Sequence, residues 1–409
     1  MGNTFSNTSN ASAILKTYYK GPLIDLLNGQ VPVLRAAEKI KEGWSGSQIV
    51  RSLKTSRNQG VGAGSDGGNL PKIGKQGTAT ATIAAKYNWL RFGMTAPMIA
   101  ASQNDVGSFV RIAGFELKGG FNDLKKEISR QLSWDGTGDL ALVNTASVAS
   151  TNLVIKGRTT NEPALKYVDV GTTFDVVNTS GTVLVSGVTV NSISSGSASS
   201  TTATLVLDTA VTLSVGDVII RSGSNNSEIQ GMFYSLDGAT STIYGVDRST
   251  ALAYQGNVSD LSSNANQVLS IDAMQNPFNE GLRRGNVGSY SAAWTDFTTL
   301  RYYQKLLTPD KRYASMEADG TFGNKGKFYL DFNGIPLVPD QDMPLRIIFT
   351  PSEVWKMYVL KEMEFADEGG SQFIPQAEVD SFETRIRYFA NLFNEQPAAC
   401  AVLQGYVSP

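Results

Sequence analysis

The 409-residue chain contains no histidine and a single cysteine, Cys400. The first absence removes imidazole acid–base chemistry, Ser-His-Asp and Cys-His nucleophiles and most zinc sites together. The second removes any intrachain disulfide and any CxxC site. A lone Cys within Ala398-Ala399-Cys400-Ala401-Val402-Leu403 reads as a small buried residue of the last strand rather than a reactive thiol. Charged residues are sparse at 18%. No apolar run is long enough to cross a bilayer, and Met1-Gly2-Asn3-Thr4-Phe5 does not open a signal peptide, so the product is expected to stay in the cytoplasm. No catalytic residue, metal or cofactor is expected.

The strings that do suggest chemistry fail in context. Gly62-x-Gly64-x-x-Gly67 spells a dinucleotide fingerprint, but no hydrophobic strand leads into it and no helix opens after it; a plain flexible loop explains it. There is no Walker A sequence. Glu362, Glu364, Asp367 and Glu368 could form an acid–base pair or hold a divalent cation, but a run that ends in Gly369-Gly370 reads as a solvated turn. Asp135-Gly136-Thr137-Gly138-Asp139 lacks the spacing of a helix–loop–helix calcium site and is explained by helix termination.

What is present is an arm-like order of segments. Gly60 to Gly68 has almost nothing to bury and is expected to be a solvated loop. From Thr78 to Ala101 the residues alternate and are rich in Thr, Ile, Tyr, Trp and Phe, which is strand chemistry and suggests a long projecting hairpin. Then Val106, Val110, Ala113, Leu117, Phe121, Leu124, Ile128 and Leu132 recur at steps of three and four, one apolar stripe on a helix from about Asn104 to Leu132. Asn104 or Asp105 can cap it, Arg130 suits its last turn, and the glycines after Trp134 stop it. Its four glycines weaken it intrinsically by about 1 kcal/mol each, so packing must hold it.

Charge is unevenly spread. Residues 1–91 carry twelve Lys/Arg against four acids, and the remainder carries twenty-three against thirty-three. A basic, extended first part and an acidic body are complementary, which favours the arm of one subunit lying across its neighbour. Nucleic-acid binding is the rival explanation, but the basic residues are dispersed singly rather than gathered with interleaved aromatics on one face.

This order resembles the tailed-bacteriophage major capsid proteins of the Hong Kong 97-like fold: a basic N-terminal segment, a Gly-rich extended loop, a long spine helix and Ser129-Arg130-Gln131-Leu132-Ser133-Trp134-Asp135-Gly136-Thr137-Gly138. Further similarity lies at Gly245-Val246-Asp247-Arg248-Ser249, Leu307-Thr308-Pro309-Asp310-Lys311-Arg312-Tyr313 and Phe332-Asn333-Gly334-Ile335-Pro336-Leu337-Val338, and in the closing strands around Arg387 to Val407.

The resemblance implies an α+β fold in which 1–45 form an N-terminal arm, with a short helix expected from about Val31 to Lys41, and 46–101 the extended loop. Residues 102–149 hold the spine helix in a peripheral domain completed by 380–409, and 227–379 form an axial domain. Residues 150–226 stand apart: Ser, Thr, Val and Gly dominate, with short β runs such as Ala203 to Leu207 and Gly216 to Ile220. A small all-β barrel or sandwich inserted into the parent fold is expected. Within 227–379, Ser270 to Arg284 and Asp296 to Leu307 read as helices, the second with Phe297, Leu300, Tyr303 and Leu307 on one face. Phe328 to Phe332 and Leu345 to Phe349 read as strands, with a flexible loop at Gly320 to Lys327 between them.

The function implied is a shell protein that assembles as pentamers and hexamers into an icosahedral head enclosing double-stranded DNA. Its partners would be copies of itself, a separate scaffolding protein, a portal and decoration proteins, with no membrane; it would reside in the virion after assembly in the host cytoplasm. Candidate inter-subunit contacts are Lys72, Lys75, Lys86, Tyr87, Trp89, Arg91 and Phe92 on the extended loop. Glu362, Glu364, Asp367 and Glu368 are candidate receivers of a neighbour's basic arm. Some relatives join subunits by a lysine–asparagine bond; no matched asparagine or glutamate is legible, so crosslinking is not expected. A secreted β-rich adhesin or surface-layer protein would share the Ser/Thr-rich segment but should show an export signal and whole-length repeats. A polysaccharide-active enzyme with paired carboxylates would survive the lack of histidine but should show a pocket-building domain.

Overall fold

The computed structural model describes residues 37–41, 44, 46–66, 68–95, 106–159, 161–238, 241–263, 267–285, 288–307, 330–366, 374–375 and 379–409, with backbone alone at 94 and 106–118. The expected caps at Asn104 and Asp105, the Gly320 to Lys327 loop, and Asp367 and Glu368 lie outside these residues.

The first element among the described residues is β1 (Glu38–Ile40), a strand within the span where a helix was expected from Val31 to Lys41; Glu38–Ile40 is drawn into parallel pairing with the later strand of Trp355–Phe365. Tertiary pairing overrides propensity in so short a segment. Next, β2 (Gln48–Ser56) and β3 (Gly77–Ala84) form an antiparallel hairpin in register Gln48↔Ala84 to Ser56↔Gly77. The strand-like stretch that begins at Thr78 then divides at Ala85. β4 (Lys86–Thr95) leaves the hairpin and pairs along ten residues with the chain's longest strand, Ser381–Asn394. Alternation shows that β4 is a strand; it cannot show which partner the strand takes.

Helix α1 (Val106–Leu132) follows. The described half of its stripe, Phe121, Leu124, Ile128 and Leu132, is buried against β4 and the sheet. Packing holds the helix despite its glycines, and one glycine helps: a Cβ at Gly120 would stand 2.9 Å from Leu90 Cδ2, so its absence lets helix and β4 approach. After Trp134 the chain turns through Gly136 (φ +88°) and Gly138 (φ +97°), left-handed backbone that suits glycine.

That turn launches β5 (Asp139–Val143), β6 (Ser147–Lys156), β7 (Thr173–Val177), β8 (Val183–Ser195), β9 (Thr202–Leu213) and β10 (Val218–Arg221). They close as a six-stranded barrel in the order β10-β5-β6-β9-β8-β7, around a core that includes Leu153, Ile155, Phe174, Val176, Leu205 and Ile219. Closure leaves the barrel no open sheet edge.

The body resumes with α2 (Met232–Ser235), the two-stranded pair β11 (Thr242–Ile243) and β12 (Val246–Asp247), then β13 (Asn257–Asp260), α3 (Ile271–Gly285), β14 (Ala292–Thr295) and α4 (Phe297–Leu307). Asp296 caps α4, accepting from the backbone N–H groups of Thr298 (2.8 Å) and Thr299 (3.0 Å). The face that α4 fully buries is Thr299, Tyr302 and Tyr303; of the four residues expected to share one face, only Tyr303 is among these, and Phe297, the first residue of the helix, is 59% exposed. β15 (Leu330–Phe332), β16 (Ile335–Pro339), β17 (Arg346–Thr350), β18 (Trp355–Phe365), β19 (Ile374–Pro375), β20 (Ser381–Asn394) and β21 (Ala401–Gln404) complete the chain.

Two sheets organise the body. One runs β13-β21-β17-β14-β16-β15 under α3 and α4, and the other β1-β18-β20-β19 with β4 also on β20. Cys400 is fully buried just before β21, and burial pushes its thiol up to about 11.

Candidate subunit-contact surfaces

β4 alternates cleanly. Asn88 is buried and Leu90 and Phe92 half-buried on the helix side, while Tyr87, Trp89 and Arg91 point the other way. Directly opposed residues in a sheet share a face, and the register sets Tyr87 opposite Phe389, Trp89 opposite Arg387 and Arg91 opposite Arg385. On the other side of β20, β18 brings Lys361 opposite Phe389 and Glu364 opposite Arg387. The result is one sheet face carrying three aromatic rings and four cations.

The rings make a platform. Tyr87 and Trp89 stack at 5.8 Å between centroids, and Phe389 meets both edge-on, at 4.9 and 5.9 Å. Trp89 nevertheless remains 56% exposed and Tyr87 42%. Beside them, buried Glu383 organises two guanidiniums: Arg91 donates to both its carboxylate oxygens (2.8 and 2.7 Å) and Arg385 to one (2.5 Å). A bidentate pair of this kind fixes geometry as well as charge.

The second surface is the hairpin. Its base is anchored, with Ile49, Ala81 and Ile83 buried among Tyr244, Tyr254, Tyr358 and Phe393, and Arg51 Nε donating to Tyr358 Oη at 2.7 Å. Its outer half has no such support. Val61, Leu70 and Ile73 in the connection between β2 and β3 are 86%, 90% and 103% exposed, beside exposed Lys72 and Lys75. A two-stranded ribbon is marginal alone in water, and large apolar side chains held this far out are unusual on a solitary chain.

The remaining candidates disperse. Lys86, at the start of β4, donates to the Asn226 carbonyl oxygen at 2.7 Å; burial lowers its pKa, with Glu228 opposing. Glu362 pairs with Lys41 at 2.7 Å and Glu364 with Lys361 at 2.9 Å. Phe92 packs inward beside the buried cluster under the spine helix. Among the described residues no group of three or more Cys, Asp or Glu side chains could hold a metal.

Sequence reasoning missed Glu383, Arg385 and Phe389, because the partner of β4 lies almost three hundred positions downstream. It also passed over Val61, Leu70 and Ile73. Their signal was legible: apolar residues inside a Gly-rich stretch with no periodic partner.

No family model matches this sequence, and no curated protein matches it in a sequence search. Solved structures do match. The chain superposes on the cyanophage A-1(L) capsid asymmetric unit with a TM-score of 0.57 at 14% identity, covering 92% of this chain and 93% of that one. The capsid of the native GTA particle follows with a TM-score of 0.48 at 9% identity (92% and 90% covered). The holo-SrpI encapsulin complex of Synechococcus elongatus PCC 7942 gives 0.43 at 7% identity (92% and 88%). Over nine-tenths of its length, the chain therefore has the Hong Kong 97-like fold of tailed-phage major capsid proteins.

Proposed function

We propose that this chain is a major capsid protein: copies assemble as pentamers and hexamers into an icosahedral shell that encloses double-stranded DNA. The observation that carries the reading is the hairpin of Gln48–Ala84, anchored at its base and holding Val61, Leu70 and Ile73 in solvent at its tip. Within a capsid fold, such an arm is stable only when a neighbouring copy covers it, so folding free energy and assembly are linked. The platform of Tyr87, Trp89 and Phe389 on another copy is a surface of matching apolar character. The barrel is read as the all-β insertion expected at 150–226, between the spine helix and the axial region; it begins earlier, at Asp139, because β5 and the start of β6, expected in the peripheral domain, pair into it. The resemblance adds that scaffolding, portal and decoration proteins are partners, and that the role is structural rather than enzymatic. The near-neutral chain suits an interior that must tolerate packed DNA without gripping it.

The test is electron microscopy of the purified chain, expressed alone and with its genomic neighbours, after size exclusion. Closed shells or rings of five and six are expected, with DNA in particles from infected cells; a monomer under every condition overturns the proposal.

A further inference from the structure

A cleft of about 480 Å³ opens where the spine-helix turn, the segment leaving the barrel, α2, β11 and the first residues of β4 and β17 converge. Its walls include Trp134, Phe233 and Tyr234, and its charged groups are Lys86, Asp135, Asp237 and Arg346. The acids are already engaged. Asp135 accepts from the Thr137 N–H at 3.0 Å and from the Thr137 hydroxyl, and Asp237 pairs with the Arg248 guanidinium.

The cations are not matched in the same way. Lys86 Nζ donates to a backbone carbonyl, and no carboxylate stands within ion-pair distance of it among the described residues. The Arg346 guanidinium lies over the Phe233 ring at 4.5 Å and near Trp134 at 5.9 Å, and among the described residues it forms no side-chain hydrogen bond or ion pair. These ring contacts use none of its N–H donors. Asp135 and Asp260 attract Arg346 through space, as Glu228 attracts Lys86, but among the described residues none of them pairs with either cation, so the N–H donors of two partly desolvated cations remain open to an anion. A planar guanidinium answers it with a two-point contact to a carboxylate or phosphate.

We infer that this cleft is an anion-binding site, distinct from the subunit-contact surfaces, that takes a carboxylate or phosphate borne on a planar or apolar body. The anion would sit between Arg346 and Lys86, and its body against Trp134, Phe233 and Tyr234. The volume lies within the range of small-ligand pockets, about 300–1,000 Å³. The proposal does not depend on shell formation, since every wall of the cleft belongs to one chain.

Isothermal titration of the purified chain with benzoate, inorganic phosphate and adenosine 5′-monophosphate tests it. Saturable binding of at least one probe is expected, weakened about tenfold or more in Lys86→Met and in Arg346→Lys, which keeps the charge but removes the planar fork. Benzoate alone would identify a carboxylate ligand. Adenosine monophosphate bound more tightly than phosphate would identify a phosphate ester whose body contributes. Circular dichroism checks folding, and if Arg346→Lys does not fold, Lys86→Met decides. Failure of all three probes to bind the parent chain, or undiminished binding in a folded variant, overturns the assignment.

Discussion

Arg130, in the last turn of the spine helix, and Glu228, 98 positions later on the segment that leaves the barrel, form an ion pair sealed from solvent, with side chains 1% and 2% exposed. Arg130 also holds Glu127 through the same Nη2 at 2.5 Å and donates to the Asp139 carbonyl oxygen at 3.1 Å. Gln131 reaches Asn88 of β4 (2.9 Å) and accepts from the Ile229 N–H (3.2 Å). One helix turn thus ties the barrel's entry and exit to the central sheet. Two carboxylates share one guanidinium, Arg221 pairs directly with Glu127 and reaches Glu228 only through space, and Glu228 Oε2 is buried without a hydrogen-bond partner.

Removing Arg130 strands Glu228 in a dry environment and leaves Glu127 only Arg221 and Gln131, so Arg130→Met is expected to destabilise the chain by about 3–5 kcal/mol, measured by urea unfolding. Removing the charge of Glu228 alone should act differently with pH. Burial raises the Glu228 pKa to about 7, against the pull of Arg130. A carboxyl raised in the folded state binds its proton more tightly there than when unfolded. Its contribution is therefore full below its unfolded pKa and is lost as pH rises towards 7. Glu127 has the opposite sign: although burial alone would raise it, Arg130 holds it below the usual range, and its contribution is lost as the solution becomes strongly acidic. Glu228→Gln should thus flatten the decline in stability between about pH 5 and pH 7 while leaving the acid limb intact. An unchanged slope in that window would show that Glu228 is ionised throughout.

The hairpin tip separates assembly from folding. Leu70→Ser with Ile73→Ser changes only exposed side chains, so chain stability should move by no more than about 0.5 kcal/mol. Deleting Gly60 to Gly68 removes the same arm by a different route. Both variants are expected to elute as folded monomer and form no shells by electron microscopy; normal particles would sink the arm reading.

Trp89→Asp attacks the opposite surface. In the monomer the ring's contacts to Tyr87 and Phe389 carry about 0.5–1.5 kcal/mol, a modest loss for a residue more than half exposed. If the platform receives a neighbour, assembly should fail while circular dichroism stays native. Tyr87→Phe, which keeps the ring and deletes only an exposed hydroxyl, should assemble normally.

How much of this was legible follows from which interactions are local. The apolar stripe through Phe121, Leu124, Ile128 and Leu132 announces both the helix and its buried side, since each contact repeats within four residues. The apolar runs between 150 and 226 announce short strands, but not that β5 (Asp139–Val143) belongs with them, since its partners β6 and β10 lie in the later segment. Whether they form a sandwich or a barrel depends on β10 pairing with both β5 and β7, a closure that no single run encodes. The same limit hid the platform. Period-two alternation assigns Tyr87, Trp89 and Arg91 to one side of a strand, but only the register with β20 brings Phe389, Arg385 and Glu383 beside them. Ten residues of good strand chemistry therefore read as part of the arm, although they pair within the body.

Glycine positions give a prediction that depends on backbone and surroundings together. Gly138 and Gly171 both have positive φ, +97° and +84°. A Cβ at Gly171 would meet nothing within 4 Å, whereas at Gly138 it would stand 3.0 Å from the Ser224 carbonyl oxygen. Gly171→Ala should therefore cost only the left-handed backbone penalty, about 1–2 kcal/mol. Gly138→Ala carries the same penalty and must also push Ser224 away, in the segment that returns to the Arg130–Glu228 pair. Its measured loss in chemical denaturation should clearly exceed that of Gly171→Ala. Because that strain falls on the barrel's exit, Gly138→Ala should also blunt the pH dependence assigned to Glu228, while Gly171→Ala leaves it unchanged. Equal losses with identical pH profiles would mean that the turn relaxes independently of the ion pair it adjoins.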